Sequence, residues 1–103
     1  MTYEPPEWAS DFLEIVESFI NRQLTAVQFE AEYLRIRKRD LRHFERGLPE
    51  SNLERSIFYA VDAFESDSRY FHAEDGHINA AELRWIVAQA LHRYHAAVAH
   101  YEA

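Results

Sequence analysis

Cysteine is absent from this 103-residue chain. That excludes a disulfide framework, a thiol nucleophile and a cysteine metal site. Glycine and proline are scarce, with two and three copies, and so leave little material for hairpin turns. No stretch reaches the ~18 apolar residues of a membrane span. No segment alternates with period two, so no sheet is expected. The opening M-T-Y-E-P-P-E-W is acidic and lacks the basic start and apolar core of a secretion signal, which fits a cytoplasmic protein. There is no glycine-rich phosphate loop, no G-x-S-x-G and no H-E-x-x-H, so no catalytic residue and no cofactor are expected.

What is present is apolar and acidic. Hydrophobic residues make up 48% and aromatic residues 15%, which excludes a disordered chain. The length suits a single domain, residues 1–103, with one core. The net charge is −7. Charge of that sign disfavours direct nucleic-acid binding and favours attraction to basic surfaces.

Four amphipathic helices are expected, at about 7–22, 26–46, 52–66 and 80–101. Pro5-Pro6 and Glu7 suit a helix start. Trp8, Phe12, Ile15, Val16, Phe19 and Ile20 then mark one face of the first helix. Thr25-Ala-Val-Gln28 has capping-box form, and Phe29, Tyr33, Leu34, Ile36, Leu41 and Phe44 follow. Gly47 and Pro49 read as its stop. Ser51-Asn-Leu-Glu54 reads as a second box, and Ile57, Ala60, Val61 and Phe64 as the face of the third helix. Asn79-Ala-Ala-Glu82 reads as a third box. Leu83, Ile86, Val87, Ala90, Leu91, Tyr94, Val98 and Tyr101 then line the inner side of the fourth helix. Mostly short connections between such helices argue for an all-α antiparallel four-helix bundle.

Candidate sites follow from side-chain chemistry. Arg35, Arg37, Lys38, Arg39, Arg42 and Arg46 form a basic run. Beside aromatic residues it offers phosphate and base contacts; as a solvated helix face paired with acids of neighbouring helices it needs no ligand, and the acidic balance favours that second reading. Asp75, Gly76, Ile78 and Glu82 fall at EF-hand loop spacing. Phe71 and Ala73 then occupy positions that need side-chain oxygens, so a calcium-responsive module is the weaker alternative. His92 and His95 stand one turn apart without a third ligand at matching spacing, so no metal site is expected. Asp62, Glu65 and Asp67, joined by Glu74 and Asp75, cluster near the end of the third helix. No carboxylate pair sits in an apolar setting that would split its pKa values; the acids are expected on polar faces and in the loop.

Two blocks resemble the colicin D immunity protein family, the small helical antitoxins of tRNA-cleaving bacteriocins and contact-dependent inhibition toxins. One is Leu24-Thr-Ala-Val-Gln-Phe29 followed by the basic run. The other runs from Asn52-Leu53 to Asp67 and closes in Asp62-Ala-Phe-Glu-Ser-Asp67. The loop and last helix, Glu74 to Leu91, have similar length. The likeness covers about residues 11 to 93. It implies a partner, a ribonuclease toxin domain whose basic cleft is filled by acids standing in for tRNA phosphates. By position those acids are Asp62, Glu65 and Asp67, with Asp62 where the family carries Glu. A tRNase cleft is cationic because phosphates dominate substrate affinity, which matches an acidic inhibitor. Tyr59 and Tyr70 stand near the acids as anchors, with Glu74 and Asp75 across the loop.

Overall fold

The computed structural model describes residues 2–40 and 47–102. Among these residues the chain is all-helical, with four α-helices, two 3₁₀ turns and no strand. The helices are α1 (Ser10–Ile20), α2 (Ala26–Asp40), α3 (Pro49–Ala63) and α4 (Ala80–Glu102).

Pro6 holds extended backbone, φ −57° and ψ 146°, and its carbonyl accepts the Ala9 N–H at 3.0 Å. The 3₁₀ turn Glu7–Ala9 so formed runs directly into α1. Phe12, Val16 and Phe19, at spacings of four and three, are fully buried. The helix stops two residues before the position expected from periodicity. Arg22 adopts left-handed backbone, φ 63°. The Gln23 N–H reaches the Ser18 carbonyl at 2.8 Å and the Arg22 N–H reaches Phe19 at 3.1 Å. That is a Schellman closure, in which a non-glycine residue costs roughly 1–2 kcal/mol. Arg84 of α4 reinforces it. Its Nε donates to the Phe19 carbonyl at 3.1 Å and its Nη2 to Leu24 at 3.2 Å, while the guanidinium lies 4.6 Å from the Phe19 ring centre.

The Thr25 capping box is present. The Gln28 N–H donates to Thr25 Oγ1 at 3.1 Å, and the Thr25 N–H to Gln28 Oε1 at 2.9 Å. Phe29, Tyr33 and Ile36 face the core, but Leu34 is 47% exposed, because it lies round the helix from Tyr33. The expected continuation of this helix through Leu41 and Phe44 to residue 46 lies outside the described residues.

Helix α3 corrects the second capping box. It begins at Pro49, not near residue 52, with proline at the first position, where a missing N–H costs nothing. Ser51 and Glu54 are therefore inside the helix and buried. Ser51 Oγ has no hydrogen-bond partner among the described residues, so it caps nothing. The helix also ends early, at Ala63. Phe64 turns to extended backbone, ψ 126°. It pairs with Ile78 in an isolated parallel bridge. The Glu65 N–H donates to the Ile78 carbonyl at 3.1 Å, and the Ile78 N–H to Ala63 at 2.9 Å. Those bonds pin the exit of α3 against the entry to α4.

The Asn79 box is present: Glu82 N–H to Asn79 Oδ1 at 2.8 Å, and Asn79 N–H to Glu82 Oε1 at 3.1 Å. Leu83, Val87, Ala90, Leu91 and Tyr94 of α4 join Leu53, Ile57, Ala60 and Val61 of α3, and the aromatics of α1 and α2, in one core. Burying such a side chain contributes about 1.5–3 kcal/mol each. Tyr101, expected inward, is 56% exposed; its ring lies 5.4 Å from Tyr3 of the N-terminal lead.

Candidate functional site

Carboxylates on and after α3 fall into two sets. Near its start, Glu50 and Glu54 are buried, 0% and 4% exposed. Glu50 accepts the Tyr3 hydroxyl on Oε1 at 2.6 Å and the Tyr94 hydroxyl on Oε2 at 2.7 Å. Glu54 accepts the Tyr33 hydroxyl at 2.6 Å and a guanidinium N–H of Arg37. Burial and the adjacent carboxylates push the Tyr3, Tyr33 and Tyr94 phenols well above the ordinary tyrosine range. The expectation that every acid lies on a polar face or in the loop is thus corrected. Glu50 and Glu54 stand seven and three residues before Ile57, in register with the core face, and each is buried because donors meet it there.

Around the far end of α3 the acids face outward. Asp62 is exposed in the last helical turn, and no hydrogen bond or ion pair engages it among the described residues. Glu65 is half-buried; its Oε1 accepts the Asp67 N–H at 3.0 Å. Asp67 is already engaged. Arg69 grips its carboxylate through Nε at 3.1 and 3.2 Å and through Nη2 at 2.7 Å, and adds its own N–H at 2.9 Å. Those bonds hold the Asp67 pKa below the usual carboxylate range. Glu74 pairs with His72 at 3.3 Å. Asp75 donates its N–H to the His72 carbonyl in the 3₁₀ turn Ala73–Asp75. Among the described residues no hydrogen bond or ion pair joins Glu74 or Asp75 to Asp62, Glu65 or Asp67. Tyr59 and Tyr70 are 66% and 61% exposed, and the Arg69 guanidinium lies 5.5 Å from the Tyr70 ring centre.

Sequence reasoning missed Glu30. It sits on α2 beside Glu65, and partial burial, together with that neighbouring charge, raises its pKa. Glu30, Leu34, Phe58, Val61, Asp62 and Phe64 line one hollow between α2 and α3. The signal was available in part: Glu30 and Leu34 are four apart, on one face of α2.

The basic run is largely spoken for. Arg35 pairs with Glu32 at 2.8 Å, Arg37 with Glu54, and Arg39 with Asp11 at 3.0 Å and Asp40 at 2.6 Å. Arg37 also lies 4.0 Å over the Phe58 ring. Arg42 and Arg46 lie outside the described residues. Among the described residues no group of three or more His, Asp or Glu side chains is placed to hold a metal ion. In the EF-hand-like segment Gly76, at φ 85°, closes the 3₁₀ turn instead. No described helix is long and apolar enough to cross a membrane.

A family model described as bacterial self-protective colicin-like immunity matches residues 9–94. The chain belongs to the colicin-like immunity family. That match spans α1, α2, α3 and most of α4, and so includes both sets of carboxylates. Comparison with curated proteins finds no match. For a colicin-like immunity protein the relevant surface is one that meets a cognate toxin, and Asp62 at the end of α3 is an exposed acid that no hydrogen bond or ion pair engages among the described residues.

Proposed function

We propose that this chain neutralises a tRNA-cleaving toxin domain by setting the acidic end of α3 into the toxin's basic cleft. The observation that carries the reading is Asp62, which is exposed and unengaged among the described residues, with Glu30 sharing its hollow and raised in pKa by burial and by the charge of Glu65. A cationic cleft supplies the missing partners. Asp62 and Glu65 make the direct charge contacts. Asp67 is held by Arg69 and contributes by sharing its carboxylate, with Tyr59 and Tyr70 as exposed anchors and Glu74 and Asp75 at the rim. The four helices, taken as an antiparallel bundle within one domain, serve as a rigid mount, so little ordering cost falls on binding. Charge complementarity of this kind speeds association, and close charge pairs across an interface couple by about 1.5–7 kcal/mol. The protein acts as an inhibitor, without catalysis or a cofactor, in the cytoplasm where tRNA is found.

The test uses the toxin domain encoded beside this chain's gene, incubated with total tRNA. Cleavage that stops at one equivalent of the chain supports the reading. A toxin that leaves tRNA intact overturns the ribonuclease assignment, and cleavage that continues overturns inhibition. Asp62→Lys with Asp67→Lys is expected to abolish protection while the melting temperature stays within a few degrees of the parent's.

A further inference from the structure

Helices α2 and α4 start at the same place on the surface. Thr25 and Asn79, their capping residues, both line a groove of about 480 Å³. Ala26, Val27, Ala80, Phe64 and Phe71 supply its apolar lining, with Ser66 and Ser68 beside them. Val27 is 53% exposed there, an apolar side chain at the second position of a helix whose capping bonds are already complete. Both capping boxes are closed within the chain, so the Thr25 and Asn79 side chains are already engaged. What is left open is an apolar slot. On one side Glu65 lines it, and Phe64 is shared with the neighbouring hollow that holds Glu30 and Asp62.

We propose that the groove between the starts of α2 and α4 receives an apolar side chain from a basic segment of the toxin, with a lysine or arginine beside that side chain meeting Glu65 and Glu30. The occupant is argued from charge complementarity. The slot is mostly apolar, Glu65 lines it, and through Phe64 it is continuous with the hollow that holds Glu30 and Asp62 at the acidic end of α3. Mutual repulsion between Glu30 and Glu65 is relieved when a cation lands between them. An apolar anchor in a desolvated pocket with a charged neighbour is the arrangement that concentrates binding energy in an interface. The inference rests on the proposed toxin-binding function and adds a second contact site to it.

The test measures affinity for the toxin domain encoded beside this chain, by calorimetry, for the parent, Val27→Thr, Val27→Ile and Phe71→Ala, with a melting curve for each. Val27→Thr keeps the shape of the wall and makes it polar. It is expected to weaken binding about fivefold, the effect of trading one buried methyl for a hydroxyl. Phe71→Ala is expected to weaken it at least tenfold, and Val27→Ile to bind like the parent, all with melting temperatures near the parent's. If Val27→Thr and Phe71→Ala both bind as tightly as the parent, the groove is not a contact site, while the acidic surface stands. If Asp62→Lys with Glu65→Lys also binds as the parent does, the acidic surface falls too. If the parent binds no toxin domain, both fall together.

Discussion

The two ends of α3 carry the same chemical group and do opposite things with it. At the start, Glu50 and Glu54 are buried and every donor they need is supplied from within: Tyr3 and Tyr94 for one, Tyr33 and Arg37 for the other. At the finish, Asp62 is exposed and unengaged among the described residues, and the charge of Glu65 adds to the burial that raises the Glu30 pKa. A carboxylate whose partners are built in contributes to one specified packing. A carboxylate left without them is stable only in water, and gains when another molecule brings the cation. The contrast separates acids that the chain partners from within from acids that it leaves open to another molecule.

The largest test of that contrast is Glu54→Ala. Removing one partner of a buried pair leaves Arg37 and the Tyr33 hydroxyl uncompensated and is expected to cost about 3–5 kcal/mol by denaturant unfolding. Asp62→Ala, on the same helix, is expected to change stability by no more than ~0.5 kcal/mol. Equal costs at the two positions would erase the distinction. Phe64→Ala probes the hinge between the regions. Phe64 is 8% exposed and ties the α3 exit to Ile78, so its truncation is expected to cost about 3 kcal/mol or more; a variant that melts like the parent would show that the bridge alone holds the loop.

The third test is pH. The folded state raises the Tyr33 and Tyr94 phenols, so it holds those protons more tightly than the unfolded chain does. The stability they contribute is complete below the unfolded tyrosine value of about 10 and is lost as pH rises beyond it. The melting temperature is expected to fall as pH rises above about 10, and to fall less steeply in Tyr94→Phe. The smallest effect is at Glu30. Its raised pKa means that its charged form is disfavoured in the folded state, a cost present at neutral pH and relieved as pH falls through the folded value. Glu30→Gln is expected to raise the melting temperature slightly at pH 7, with the gain shrinking as pH falls through the raised folded value and gone below about pH 4. In toxin binding the same variant is expected to lose affinity, which separates the surface role from the stability role.

Much of the fold could be read from the chain. Thr25/Gln28 and Asn79/Glu82 are local devices in which both partners lie within four residues, so the sequence alone displays them. Ser51/Glu54 has the same spelling and a different role, because Pro49 starts the helix earlier and tertiary donors claim Glu54. The Tyr3–Glu50 bond spans 47 residues and the Tyr94–Glu50 bond 44; no local pattern reports contacts of that range. The early end of α3 was hidden for a similar reason, since it follows from the bridge to Ile78. At the candidate site, Asp62, Glu65 and Asp67 were visible as a cluster. That Arg69 holds Asp67 and that Glu30 joins from α2 were not, because one is a side-chain geometry and the other a packing of two helices.

The most direct test of the central claim is the affinity of Asp62→Lys with Glu65→Lys for the cognate toxin domain, measured alongside the melting temperature of the same sample. A loss of at least 100-fold with an unchanged melting temperature is the predicted result, about 2.7 kcal/mol or more in binding free energy. Affinity within threefold of the parent, with the fold intact, would contradict the claim that the unpartnered end of α3 is what the toxin meets.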